Sequence, residues 1–256
     1  MHVNRHHISF LFILFIVFSC QYENAENLYY TEPDNHPIDT TDNDTDSLTI
    51  SRKLLLDIPF NGTIEDESEQ HLTIIPWGSP EMTFDRFDDE NRALYLNGEN
   101  QYIELELGQQ DSISVSFWFN CGSGRSCYSS LFDYGVNAVK TNIDGYSGPT
   151  SFYITSFYNN LDELNADYYF RYYEWYHIYV SACNNPVIYV NGEKAGDIHK
   201  NIILNLTTSN LIIGKSVMDN SDEEVYFNGV IDDIKIYNYA LSNQEINALY
   251  TKNTFL

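Results

Sequence analysis

From residue 54 to residue 237 the chain runs in short stretches of alternating or β-branched residues, each broken by a turn signal. "LLLDIPF" stops at Asn61-Gly62, and "ALYLNG" leads into "QYIELEL"; "SLFDYG", "SFYITSFY", "EWYHIYVSA", "PVIYVNGEKAG", "NLIIG" and "VIDDIKIY" follow. "SISVSFWFN", residues 112–120, alternates most cleanly. Ile113, Val115, Phe117 and Phe119 point one way; three serines and Trp118 point the other. A period of two repeated over so many segments makes sheet, and sheets with one apolar face must pack in pairs. Asn191-Gly192 sits between two such runs, where a type I′ hairpin turn needs residues that accept positive φ. Helical signal is confined to the C-terminus: Ser242 and Glu245 form a capping box ahead of Ile246, Leu249 and Tyr250. The pattern predicts an all-β, antiparallel two-sheet sandwich or jelly roll with a short C-terminal helix.

The N-terminus sets a compartment. A basic leader, "MHVNRHH", precedes the apolar run "ISFLFILFIVF" and then Ser19-Cys20. That run is shorter than the roughly 20 residues that span a bilayer, and it reads as a secretory signal peptide over residues 1–19. "VFSC" resembles a bacterial lipobox, with Phe18 bulkier than the usual residue, so Cys20 is the expected lipidation site. The alternative is an ordinary signal peptide with an incidental cysteine. Residues 20–52 are rich in Asp and Glu, carry Arg52 as their only Lys or Arg and show no apolar periodicity. They read as an acidic disordered tether. Residues 53–256 remain as one domain. The expected location is that of an exported lipoprotein, at the outer membrane or cell surface, held by acyl chains only. A net charge of −24 argues against nucleic acid and anionic lipid and fits neutral glycans, basic surfaces or bound cations.

Three cysteines lie in the domain, Cys121, Cys127 and Cys183. An exported chain permits a disulfide, and "CGSGRSC" would close a loop between Cys121 and Cys127, though three pairings are open. No C-x-x-C with histidine partners points to zinc. "VIDDIKIY" raises a separate question. Alternation places Asp232 beside Val230, Ile234 and Ile236, with Ile231, Asp233, Lys235 and Tyr237 on the other face. A carboxylate on an apolar face needs a partner: a basic side chain, backbone N–H groups or a metal ion.

The order of "LLLDIPFNGTIEDES", "DRFDDENRALYLNGENQYIEL", "SISVSFWF", "EWYHIYV", "IYVNGEKAG", "LIIG" and "YFNGVIDDIKIYNYALSNQEINALY" resembles a bacterial laminin G-like domain of the concanavalin A-like jelly-roll type, over nearly all of residues 54–250. Its closing block, glycine, Ile-Asp-Asp, strand, "YALS" and helix, is the most diagnostic. The resemblance implies a concanavalin A-like jelly roll and a structural calcium ion. Its implied ligands are Asp232, the carbonyl of Gly98 and Asn61 in "PFNG"; Asn61 stands where many relatives carry aspartate.

Glucanases share this sandwich, and their retaining mechanism needs two carboxylates about 5–5.5 Å apart. The only similar stretch is "YIELELG", with Glu104 and Glu106 and no third acid, so catalysis is not expected. The resemblance implies that Trp175 and His177 pack or hydrogen-bond within the core, and no serine or cysteine stands out as a nucleophile beside the histidine. The run "MDNSDEEVY", with Asp219, Asp222, Glu223 and Glu224, reads as a solvated loop or a second calcium site. "DYYFRYYEWY" is the most distinctive stretch outside the family motifs. Tyr168, Arg171 and Tyr172, with Trp77 in "IIPWGSP", are the candidate glycan platform, against a reading in which the tyrosines only fill strand faces. The expectation is a surface-tethered, non-catalytic module that binds glycan, or alternatively a protein-binding adhesion module, or a jelly-roll glycoside hydrolase.

Overall fold

The computed structural model describes residues 51–122, 129–134, 139–144, 150–156, 163–183, 186–197, 210–217 and 224–252. The signal peptide, Cys20, residues 20–50 of the acidic tether, Cys127, Asp219, Asp222 and Glu223 lie outside the described residues, whereas Arg52, placed in the tether by its sequence, pairs with Glu245 of the domain. In chain order the first strands are β1 (Leu54–Ile58), β2 (Ile74–Trp77), β3 (Glu81–Thr83), β4 (Ala93–Asn97), β5 (Tyr102–Glu106) and β6 (Ser114–Cys121). Next come β7 (Ser129–Asp133), β8 (Val139–Asp144), β9 (Thr150–Ser156), β10 (Glu163–Phe170), β11 (Trp175–Ser181) and β12 (Val187–Val190). The last are β13 (Glu193–Asp197), β14 (Asn210–Ile213), β15 (Lys215–Val217), β16 (Glu224–Tyr226), β17 (Asn228–Tyr237) and the helix α1 (Asn243–Lys252).

Two antiparallel sheets face each other. One runs β13-β12-β11-β6-β17-β4-β3 with β1 also paired to β17, and the other runs β10-β9-β8-β7-β14-β5-β2; β15 and β16 form a separate ribbon. The predicted jelly-roll sandwich with one C-terminal helix is what forms. The core lies between the sheets, where Val115, Phe117 and Phe119 of β6 meet Phe132 of β7, with Phe117 and Phe132 ring centres 4.7 Å apart. Ile103, Leu105, Leu211 and Ile213 fill the second sheet's inner face. Proline at position 76 is tolerated because β2 is an edge strand.

The outer face of β6 is buried too, which alternation alone does not foretell. Trp118 stacks on Tyr250 of α1 at 5.8 Å, Ser116 hydrogen-bonds His177 at 2.9 Å, and the Ser114 hydroxyl donates to the Tyr239 carbonyl. The helix holds its place through the predicted capping box: the Glu245 N–H donates to Ser242 Oγ, and Glu245 Oε2 accepts the Ser242 N–H at 2.7 Å. The Asn191-Gly192 turn has both residues at positive φ, +50° and +78°, as a type I′ turn requires.

One strand departs from its predicted faces. In β17 the register against β6 shifts between Asp232 and Lys235, and Asp233 adopts φ +48°. This β-bulge changes the phase of the alternation, so Ile231, Ile234 and Ile236 all enter the core while Asp232 turns outward beside Trp118. Asp232 does not share a face with Ile234 and Ile236. It is buried because other side chains roof it, not because it enters the core.

Candidate functional site

The outer face of the second sheet carries an aromatic ladder at its β2 edge. Trp77 lies opposite Tyr102 in the β2–β5 register, and their rings stack at 5.8 Å with planes 11° apart. Tyr102 in turn lies 6.2 Å from Tyr226 of the β15–β16 ribbon. The Lys215 ammonium sits 4.7 Å from the Tyr102 ring centre and pairs with Glu224. Its hydrogen bond holds the Glu224 carboxyl below the usual carboxylate range. Glu104 is fixed between neighbours: Trp77 Nε1 donates to one oxygen at 3.2 Å and Asn210 Nδ2 to the other at 3.0 Å. Trp77 remains 45% exposed and Ile75, also on this edge, 47%. Register explains the arrangement, because residues opposite each other on one face of an antiparallel pair come within ring-stacking distance.

The other predicted platform residues do not join this ladder. Tyr168 is half-buried against Phe170 (4.9 Å) and Tyr176 (5.9 Å), so it packs on the core. Arg171 and Tyr172 are exposed in the β10–β11 connection, where Arg171 approaches Glu174 at 3.5 Å. That connection begins at β10, on the opposite edge of the second sheet from β2. It crosses from there to the first sheet, where the Tyr173 N–H donates to the carbonyl of Cys121 at the end of β6 at 2.9 Å, so Arg171 and Tyr172 lie beside β6 and are not part of the Trp77–Tyr102 stack.

The implied calcium ligands do not converge either. Gly98 follows the β4 residue that pairs with Asn228, whereas Asp232 follows Ile231, which pairs with Leu94. Five residues of strand lie between, roughly 16 Å, whereas ligands of one calcium ion sit about 2.3–2.6 Å from it. Asn61 and Asp232 do line one small pocket with Asp89, Arg92 and Asp233. Each already faces a guanidinium: Arg92 Nη1 donates to Asn61 Oδ1, and Arg86 Nη1 donates to Asp232 Oδ2. Among the described residues, no three His, Cys, Asp or Glu side chains gather as a metal cluster. The residues present do not fit the implied ion.

His177 is fully buried, and burial first, then the Arg86 charge, push its pKa down to about 3. A neutral, enclosed imidazole bonded to Ser116 has no route to a substrate. Cys121 and Cys183 are both buried, and the expected Cys121–Cys127 pairing turns on a residue outside the described ones.

The laminin G-like sequence pattern of the concanavalin A-like lectin/glucanases superfamily matches residues 97–247, more than half of the chain. The chain belongs to this superfamily. None of the curated proteins compared with this concanavalin A-like chain matches it. Among solved structures it is similar to domain 4 of AbnA, a GH43 extracellular arabinanase from Geobacillus stearothermophilus, in complex with arabinotriose. That likeness has TM-score 0.59 and 18% identity, and covers 78% of this chain and 98% of that one. A botulinum neurotoxin type C structure, whose cell entry depends on interaction with two ganglioside molecules, matches at TM-score 0.59 and 18% identity. The binding domain of botulinum neurotoxin DC in complex with rat synaptotagmin II matches at 0.58 and 17%. These cover 78% and 79% of this chain but only 51% and 52% of the toxin chains, so the concanavalin A-like chain spans about half their length. The likenesses establish the fold.

Sequence reasoning singled out Trp77 but missed Tyr102, Tyr226 and Lys215. Tyr102 was accessible in principle, since it shares strand parity with Glu104 in "QYIELEL". Nothing in the sequence links position 77 to position 226; the sheet register and the ribbon bring them together.

Proposed function

We propose that this chain is a non-catalytic glycan-binding module, displayed at a cell surface through a lipidated Cys20. The observation that carries the reading is the exposed Trp77 ring, made rigid by stacking on Tyr102 and flanked by Glu104 with both oxygens hydrogen-bonded. A sugar presents apolar C–H faces to such a ring and hydroxyls to the fixed polar groups around it. Holding Glu104 by Trp77 and Asn210 suits positioning rather than proton transfer. The arabinotriose complex of the arabinanase domain and the ganglioside dependence of the neurotoxin support a saccharide ligand on this fold. Protein recognition is the second reading, supported by the synaptotagmin complex and by Ile75 extending the apolar edge beside Trp77.

A glycan array with the purified protein, followed by calorimetry on the best hits, tests the proposal. Trp77→Ala is expected to weaken binding about tenfold, the loss of one stacking contact worth about 1.4 kcal/mol. Tyr172→Ala, in the β10–β11 connection outside the stack, should leave affinity unchanged. The reading fails if no glycan binds above background, or if the Tyr172 variant loses binding while the Trp77 variant keeps it. Hydrolysis of a bound glycan that disappears on Glu104→Gln or Glu106→Gln overturns its non-catalytic half.

A further inference from the structure

We infer that Arg86 takes the place of a calcium ion in this domain: its guanidinium is the cation that ties the last strand to the β3–β4 connection. Three independent features of the geometry converge on this. The first is the hydrogen bonding. Arg86 Nη1 donates to Asp232 Oδ2 and Nη2 to Asp233 Oδ2 at 2.7 Å, a two-pronged grip matched to the planar fork of the guanidinium. Asp232 Oδ1 is also engaged, accepting the Asp233 N–H at 2.8 Å. The second is burial. The Arg86 side chain is only 7% exposed and that of Asp232 only 3%, with the guanidinium carbon 4.6 Å from the rings of both Trp118 and Phe87. An ordered divalent ion at Asp232 would have to share this enclosure with a cation that is always charged.

The third is backbone construction on both sides of the contact. The β17 bulge, with Asp233 at φ +48°, swings two consecutive carboxylates toward the same guanidinium, where a regular strand would send them to opposite faces. Opposite them, Asp85 Oδ1 accepts the N–H groups of Phe87 at 2.8 Å and Asp89 at 3.0 Å, folding "DRFDD" into a tight loop that presents Arg86. Arg92 repeats the pattern on a small scale at Asn61. Both implied side-chain ligands of the ion therefore meet arginine. A single guanidinium supplies one positive charge where calcium supplies two, and the leftover negative charge agrees with the carboxyl of Asp232 being raised by burial and by Asp233.

Thermal melts of the full chain with millimolar calcium and with chelator test the inference directly. The wild-type melting temperature is expected to move by no more than about 1 °C between them, against the several degrees that a saturated structural ion contributes. Arg86→Gln leaves two buried carboxylates without their cation, and the double change Asp232→Asn with Asp233→Asn leaves the buried guanidinium without its anions. Each is expected to lower the melt by about 10 °C. A wild-type melt that drops several degrees in chelator, with the drop abolished by Asp232→Asn, overturns the inference; so does an unchanged melt for Arg86→Gln. A drop that persists in Asp232→Asn places an ion elsewhere and leaves Arg86 as the cation at Asp232. An unmoved wild-type melt supports the inference even if a variant fails to fold.

Discussion

At the scale of single residues, the side chains that look most chemical are structural. His177 sits on the outer face of β11, bonded to Ser116 and covered by Trp118 and Tyr250. Its pKa, pushed down to about 3, lies below the usual value near 6.5, so the unfolded chain binds a proton that the folded chain refuses. The stability tied to a neutral His177 is therefore complete above pH 6.5 and drains away as pH falls toward 3. Burial and then Asp233 raise the Asp232 carboxyl against the pull of Arg86, and that titration overlaps the same range in wild type and variant alike. The comparison to make is thus between wild type and His177→Gln, which keeps a hydrogen-bonding group beside Ser116. Urea unfolding should show the wild-type advantage shrinking by on the order of 3 kcal/mol between pH 6.5 and pH 4. A pH-independent difference between the two proteins would show that His177 titrates normally. That His177 is structural was legible from the family position that "EWYHIYV" resembles; how it is buried was not, since the covering groups come from elsewhere in the chain.

At the scale of elements, the short helix does more than close the chain. α1 places Ile246 beside Tyr179 and Leu241, and Tyr250 over Trp118, so the helix helps hold the outer face of β6 under cover. Arg52 adds a surface pair to the same Glu245 that completes the capping box. Ser242→Ala removes the acceptor for the Glu245 N–H and should cost about 1 kcal/mol, a melting shift of about 2–4 °C by calorimetry. An unchanged melt would mean that packing under α1, rather than its cap, holds the helix. The cap and the Asn191-Gly192 turn were readable because their signals are local: one hydroxyl and one carboxylate three residues apart, or two residues that accept positive φ. The β17 bulge was not. "IDDI" is compatible with plain alternation, and the bulge becomes favourable only when Arg86, 146 residues away, offers both carboxylates one cation.

At the scale of the whole molecule, exposed aromatic side chains occur in two places, at the β2 edge of the second sheet and in the β10–β11 connection that lands beside β6. The ladder at Trp77 combines stacked rings with anchored polar groups; the β10–β11 connection offers Tyr173, 67% exposed, beside Tyr172. The proposed anchor belongs to this scale too. Expressed in a bacterium and fractionated, the protein is expected with the membranes, and Cys20→Ser should move it to the soluble fraction; an unchanged distribution refutes lipidation at that residue. The sequence by itself determined the sandwich, because period-two alternation in every segment leaves each strand one face to bury and two packed sheets are the way to bury them. It also determined the helix end, the hairpin turn and the superfamily. Tertiary structure alone decided which residues meet across sheets and loops. Trp77 finds Tyr102 and Tyr226 through strand register, and Tyr168 turns inward against Phe170 and Tyr176. Asp232 receives a guanidinium because a loop 146 residues earlier folds onto the last strand. Those outcomes depend on distances through space between groups far apart in the chain, and local patterning carries no record of them.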